Sequence, residues 1–391
     1  MNIKELESKH FFQTYKRFPV EISHGDGCYL VTKDGRRILD FFTGLAVSAL
    51  GHGNPDVLEA VTKQISRYLH LSNFYLQETQ VELAQSLLRA SNYDRVFLSN
   101  SGTEAIEGAV KLVRRWGKTQ KKHTLVSLLG AFHGRTMGSL SISGRKKYRE
   151  GYDPFLPGVK HIELNDVETL EQAVNNETAA FFFEPIQGEG GVRPVSEVFV
   201  KKLVELHDKY GFLIVADEIQ TGIGRTGKFL ACEHLGIKPD ITIVAKALGG
   251  GLPVGALLAR EELNQYFPPG SHGTTFGGNP VACAAGTVVV NKVSEEQFIK
   301  DVGEKASRLR DELETLQKQY PSIIKEIRGL GLMLGVDLHT TGAPFVEWFL
   351  EKDVFINCTD QTVLRLLPPL VIGEKEIEEF IRVFEGILKT S

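Results

Sequence analysis

Lys246 and Asp217 are the two residues of this 391-residue chain whose types and settings most suggest chemistry. Lys246 closes the apolar, β-branched run Ile241-Thr242-Ile243-Val244-Ala245, and three glycines and Pro253 follow shortly after it. An ammonium group is costly to desolvate, so a lysine in apolar surroundings needs a reason to be there. Desolvation lowers its pKa and frees the amine as a nucleophile. The glycines allow the backbone to approach something bulky and planar. This is the setting of a Schiff-base lysine, whose usual partner is pyridoxal phosphate. Taken alone, the stretch reads equally well as a strand ending in a snorkelling lysine. Asp217 shifts that balance. It ends the run Phe212-Leu213-Ile214-Val215-Ala216-Asp217, where strands of an α/β sheet face their ligand crevice. A carboxylate there can pair with a protonated pyridine nitrogen and keep the ring an electron sink. The alternative is a helix cap or a structural ion pair. One connection and a return strand fit between the two residues, so matched groups on consecutive strand ends favour the chemical reading.

Further candidates are weaker singly. Asn100-Ser101-Gly102-Thr103-Glu104 sits between an expected strand and an expected helix. The first amides of that helix suit an anion, although an ordinary N-cap by Ser101 or Thr103 explains the same residues. Phe132 follows another strand end and can stack on a planar ring, and Arg135 can hold a carboxylate in its fork. A core phenylalanine and a surface arginine are the plain readings. Glu184-Pro185-Ile186-Gln187-Gly188-Glu189-Gly190-Gly191 adds an acid in a glycine-rich setting. Arg145-Lys146-Lys147 reads as a solvated face. Gly222-Ile223-Gly224-Arg225-Thr226-Gly227 matches a dinucleotide fingerprint letter for letter, but four residues part it from Asp217 and no helix start follows. It reads as an active-site loop.

The elements that must position these residues follow a strand–helix rhythm. Strands are expected at 96–99, 124–129, 179–184, 212–217, 241–245 and 254–259, with helices after Pro55, from Glu78 to Ala90, after Glu104 and from Glu197 to Lys209. Leu39 to His52 reads as a loop lining a cleft. The alternation predicts an α/β fold with a mostly parallel, doubly covered sheet. After about residue 290 a long charged helix, 295–319, leads into a smaller α+β lobe. The expected division is 1–50 packing with the small lobe, 51–290 as the large domain and 291–391 as the small one. A net charge of -4 gives no case for nucleic acid or an anionic membrane. No apolar run is long enough for a bilayer, and the N-terminus lacks a signal-peptide core. Cys28, Cys232, Cys283 and Cys358 are scattered and read as reduced thiols of a cytoplasmic protein; the histidines show no metal-ligand spacing.

In their order along nearly the whole chain, the stretches SGTEA, FHGR, EPIQGEGG, DEIQTGIGRTG, AKALGGGLP, HGTTFGGNP and LRLLPPL resemble the class III, fold-type I, pyridoxal-phosphate aminotransferases. The resemblance implies that Lys246 carries the cofactor and Asp217 meets its ring nitrogen. It places Gln220 near the ring hydroxyl and Phe132 against the ring face. Ser101, Gly102 and Thr103 fall at the phosphate, with Thr275 reaching the phosphate of a second subunit in a homodimer. Arg135 would bind a substrate carboxylate, Glu189 and Arg365 would form a gate, and Tyr15 and Leu45 would lie on the donor side. The implied reaction is ping-pong transfer of an amine to 2-oxoglutarate. Within the family the chain is most similar to the acetylornithine group, with ornithine, succinylornithine or 4-aminobutyrate as other donors and an aminomutase as another outcome on the same fold. Ile106 departs from the Asn that many acetylornithine-type members carry there.

Overall fold

The structure, a computed structural model, describes residues 3–390. The outermost residues of the first and last expected segments, 1, 2 and 391, lie outside this range. The sheet that positions the site has seven strands among the described residues, in the order Arg95–Ser99, Gly255–Ala259, Ile241–Val244, Leu213–Asp217, Thr178–Phe183, Thr124–Leu128, Val159–Ile162. From Ile241–Val244 outward to Val159–Ile162 every pairing is parallel, whereas Gly255–Ala259 runs antiparallel to both its neighbours. The inner strands are apolar without alternation because both faces are covered, as parallel sheets require. Leu125, Phe182, Val215 and Ile243 pack with the helix Gly102–Gln120 on one face. Val126, Phe181, Ile214 and Ala216 pack with the helix Glu197–Tyr210 on the other.

A second, antiparallel sheet runs Ile324–Leu330, Met333–Leu338, Val363–Leu366, Asn357–Thr359. A third joins Ile22–Asp26, Tyr29–Thr32 and Arg37–Asp40 to the late strand Val354–Phe355, which pairs parallel with Arg37–Asp40. The short hairpin of Ile186–Gln187 with Arg193–Pro194 carries the glycine-rich turn containing Glu189. A large apolar core ties both smaller sheets to the helices Pro280–Val293 and Glu296–Gln319.

Three local results differ from the sequence reading. Leu39–His52 is not simply a loop. A strand runs to Asp40, and then Thr43, Gly44, Leu45 and Ala46 all take left-handed φ values of 48°, 61°, 71° and 64°. Left-handed turns cost L-residues about 1–2 kcal/mol each. Buried Asp40 secures this one by accepting from the amides of Phe42 (2.9 Å) and Thr43 (2.8 Å), and Thr43 Oγ1 donates to Leu367 O at 2.8 Å. The edge strand Val159–Ile162 escaped notice because Lys160 and His161 break its apolar run. The helix Pro280–Val293 did so because Ala, Cys, Gly and Val are buried round most of its circumference and leave no polar face to mark a period.

Candidate active site

Lys246 stands just past the end of Ile241–Val244, where the chain leaves the sheet. Its φ of 49° is left-handed, and a tight 3₁₀ turn, Lys246–Gly249, starts on it. A non-glycine residue held there is strained, and strain of this kind gathers at functional positions. No described side chain gives its amine a hydrogen bond or ion pair. Burial pushes its pKa below the ordinary lysine value, and the Arg365 charge adds to this; Glu189, Asp217 and Glu184 pull the other way.

One strand over, Asp217 is 3% exposed and already partly engaged. His133 Nδ1 donates to Asp217 Oδ2 at 2.7 Å, and the Ile219 amide donates to Oδ1 at 3.0 Å. Burial alone would lower the pKa of His133. The bond and charge of Asp217, with the charge of Glu184, outweigh burial and raise it. Its far side meets Ser127 Oγ at 3.3 Å, and its amide donates to Ser143 Oγ at 2.9 Å. Glu184, just past the end of Thr178–Phe183, accepts from the amides of Phe132 (2.8 Å) and Gly188 (3.0 Å). Burial pushes its pKa up to about 7, against the pull of His133. His133 was not singled out in the sequence, and Glu184 entered only as the first residue of the glycine-rich stretch, without a role of its own. The available signal was that each neighbours a strand end at the edge where Asp217 ends.

The turn before the helix Gly102–Gln120 satisfies both readings of its sequence. Ser101 Oγ accepts from the Glu104 amide at 3.3 Å, and Glu104 Oε2 accepts from the amide and side chain of Asn100, both at 2.8 Å. The amides of Gly102 and Thr103, in the first turn, have no acceptor within the helix and stay available to an anion. The turn is wedged between two elements already described. A Cβ on Gly102 would come 2.6 Å from Ile219 Cδ1, and one on Gly255 would come 2.4 Å from the Ser101 carbonyl oxygen. Ile106, on the same helix, is fully buried in the core.

These parts open onto one cavity of about 460 Å³. Lys246, Asp217, Phe132 and Gln220 line it, as do Ser101 to Thr103 and the exposed Arg135. Such a volume suits a compact ring-containing ligand. Other sequence candidates lie elsewhere. Leu45 is half-buried and does not line the cavity; Val47, just beyond the left-handed turn, does. Tyr15 is 71% exposed, with its ring 5.5 Å from the Arg17 guanidinium carbon and outside the cavity wall. Thr275 is exposed on a second cavity, of about 800 Å³, beside Phe74 and His70. Its neighbour Thr274 does reach the first site, since Asn100 Nδ2 donates to Thr274 Oγ1 at 2.9 Å.

Glu189 and Arg365 do not line this cavity; they meet behind Gln220, which does. Arg365, 1% exposed, donates through Nη1 to Glu189 Oε1 at 2.7 Å and to Gln220 Oε1 at 3.2 Å, and through Nε to Asn357 Oδ1 at 3.1 Å. Burial would raise the pKa of Glu189, but Arg365 first, then Lys246 and Arg145, hold it below the usual carboxylate value. Tyr148 OH donates to Glu189 Oε2 at 3.5 Å. The Arg135 guanidinium carbon lies 3.8 Å from the centre of the Tyr148 ring and 5.6 Å from that of Phe132. The expectation of a solvated basic face at Arg145-Lys146-Lys147 fails at its first residue. Lys146 and Lys147 are exposed, but the Arg145 side chain is only 17% exposed and faces Asp360.

The arrangement can hold a planar group with an anionic end and present to it an amine whose charge burial disfavours, with a buried cation covered by an acid close by. The family model for aminotransferase class-III matches residues 11–388. The acetylornithine aminotransferase of Aquifex aeolicus is 44% identical over 382 residues, which cover 97% of this chain and all of that one. That of Caldanaerobacter subterraneus subsp. tengcongensis is 43% identical over 386 residues, 98% of each. Among solved structures, the ornithine aminotransferase of Toxoplasma gondii superposes with a TM-score of 0.95 at 31% identity, covering 100% of this chain and 96% of that one. The N-acetylornithine aminotransferase of Stenotrophomonas maltophilia superposes at 0.84, also with 31% identity, over 99% of this chain and 100% of that one.

Proposed function

Because the chain belongs to the class III aminotransferases, we propose that it transfers the terminal amine of N-acetylornithine to 2-oxoglutarate with pyridoxal phosphate, a reaction of arginine synthesis. The observation that carries this reading is the single cavity in which an unpartnered lysine amine, a buried aspartate and free helix-end amides converge. The fit to the cofactor rests on the chain alone. The Gly102 and Thr103 amides lack helical acceptors, and a Cβ at Gly102 would crowd the Ile219 side chain beneath the turn. Each Asp217 oxygen has one protein partner and so keeps capacity for another. The reading assigns Lys246 to the covalent link and Asp217 to the ring nitrogen. Phe132 takes the ring face, Gln220 the ring hydroxyl, and Ser101, Gly102 and Thr103 the phosphate.

When bound, pyridoxal phosphate supplies the carbonyl carbon that takes up an amine and the ring that draws electrons from the neighbouring C–H bond. The chain's own part is the handling of charge and protons. Lys246 Nζ would take the proton from the donor carbon and return it two bonds away, on the far side of the transferred nitrogen, a task its lowered pKa suits. Asp217 keeps a positive charge facing it, and His133 holds the Asp217 carboxylate in place. Arg135 orients a substrate carboxylate. Arg365 is masked by Glu189 while the donor reacts and unmasked for the α-carboxylate of 2-oxoglutarate. In the cavity wall Val47, in place of Leu45, supplies the aliphatic surface. A charged α-ammonium near it would lose hydration without compensation, whereas an acylated nitrogen would lose less. The likeness to the Toxoplasma enzyme favours a second reading, free ornithine as donor.

The same proposal includes a homodimer in which Thr275 serves the phosphate site of the second copy, with exposed Leu69, Phe74, Leu76 and Phe276 as apolar surface for the contact. It divides the chain at about residues 50 and 290 and places the enzyme in the cytoplasm; no described helix is long and apolar enough to cross a membrane. A donor panel run with 2-oxoglutarate tests the activity. No amine transfer from any ω-amino acid would refute it, and a preference for free ornithine would move the chain to the second reading. Mixing Lys246→Ala with Thr275→Ala subunits tests the shared site: a hybrid with one intact site should recover activity that neither parent has.

A further inference from the structure

A gate made of Glu189 and Arg365 works only if Glu189 has somewhere to go. Parted from Arg365 in a buried setting, its carboxylate would be left without the partner that makes its charge tolerable. Two groups nearby are under-used. Tyr148 OH reaches Glu189 Oε2 at 3.5 Å, the far limit of a hydrogen bond, with room to tighten. Arg145 has a buried Nη1 with no hydrogen bond at all. Its nearest acid is Asp360, 3.7 Å from Nη2, and Arg193 holds that carboxylate more closely at 3.1 Å. Buried guanidinium groups are seldom left this way without a role. Arg145 also lies 5.5 Å from the centre of the Tyr148 ring, so the two form one cluster beside the gate acid.

We propose that Tyr148 and Arg145 are positioning residues that receive the Glu189 carboxylate when it leaves Arg365, leaving Arg365 free for a dicarboxylic acceptor. The inference rests on reading Glu189 and Arg365 as a gate, and adds the destination that a gate requires. Charge pairing is conserved in the exchange. Arg365 trades Glu189 for a substrate carboxylate, while Glu189 trades Arg365 for Arg145 and a shorter bond from Tyr148. Neither receiving group need touch substrate. The Tyr148 ring also lies against Arg135, so a shift of its hydroxyl toward Glu189 is transmitted to the arginine assigned to the other carboxylate.

The test uses the holoenzyme, glutarate and four variants. Glutarate has the two carboxylates of the acceptor but no carbonyl to react, so calorimetry reads gate opening without turnover. Arg145→Met should weaken glutarate binding by about tenfold and Tyr148→Phe by about threefold, on the scale of the net worth of single hydrogen bonds. Arg145→Lys should restore part of the loss. In single-turnover absorbance, both should slow the 2-oxoglutarate half-reaction more than the donor half-reaction. A crystal structure with glutarate should show Glu189 turned onto Arg145. Arg365→Ala serves as the reference. If it fails to favour loss in the acceptor half, the gate itself is refuted and the receiving pair with it. If Arg365→Ala is selective but Arg145→Met and Tyr148→Phe bind glutarate as the native enzyme does, or lose both halves equally, the receiving pair is refuted and the gate stands.

Discussion

The inner wall, which lines the cavity, and the outer one, which meets it through Gln220, are built by different means. On one, Lys246 and Asp217 are set by strand ends in the central sheet, and one backbone amide and a histidine engage the aspartate at ordinary distances. On the other, Glu189, Arg365, Tyr148 and Arg145 are long side chains from the glycine turn, the second sheet and a short helical turn with its N-cap, joined by one short ion pair and several loose or missing bonds. The first wall is costly to move because moving it means moving a sheet. The second can exchange partners because several of its polar groups are incompletely used. A reaction that keeps one chemical centre while admitting two unlike substrates in turn needs this division.

The largest expected effect comes from breaking the fixed wall. Lys246→Ala should abolish turnover, and borohydride should no longer fix the cofactor to the protein; normal turnover would end the assignment. Asp217→Ala should bind cofactor weakly and lose several orders of magnitude in rate, each tenfold being about 1.4 kcal/mol. Both half-reactions should suffer alike, and a rate within a few-fold of native would place the ring's partner elsewhere. On the movable wall the comparison predicts asymmetry instead. Arg365→Ala should damage the 2-oxoglutarate half-reaction more than the donor half, and equal losses by single-turnover absorbance would erase the distinction between the walls. A smaller effect concerns the donor: kcat/KM for N-acetylornithine should exceed that for ornithine by at least about tenfold.

The smallest effect sharpens the fixed wall by its pH dependence. The pKa of His133 is raised in the fold, so its pairing with Asp217 stabilises fully below the free-histidine value of about 6.5 and fades as pH rises through the raised value. His133→Asn should therefore lower Tm most near about pH 6 and least near about pH 9. A calorimetric difference that does not change with pH would mean that the histidine is neutral in the fold.

The same contrast governs what the sequence made legible. Strands 213–217 and 241–244 fall within a residue of expectation because uniform apolar burial writes itself into residue type. The fold class and the cavity residues on strand ends followed from those runs. Arg145 was invisible because a basic triplet looks alike whether solvated or folded inward, and only Asp360, in the turn between two strands of the second sheet, decides which. Tyr148 lies on a short helical turn, Lys146–Arg149, too brief to carry a period. The placement of Leu45 went astray for a backbone reason: four successive left-handed residues turn the chain so that Val47 forms the wall, and φ is not written in an aliphatic side chain.

The antiparallel strand Gly255–Ala259 has a consequence for the order in which the molecule forms. Gly255 pairs with Ser99 and Ala256 with Val244, so this one strand brings the turn of Ser101 and the turn of Lys246 to the same sheet edge from distant parts of the chain. Loop closure over such separations is slow, and non-local pairings form late. Until that strand inserts, both turns can exist without a cavity between them. The native absorbance of bound cofactor should therefore return only with the last phase of refolding, behind the recovery of helix. A partly folded chain would be chemically silent, unable to capture an aldehyde before its neighbours are in register.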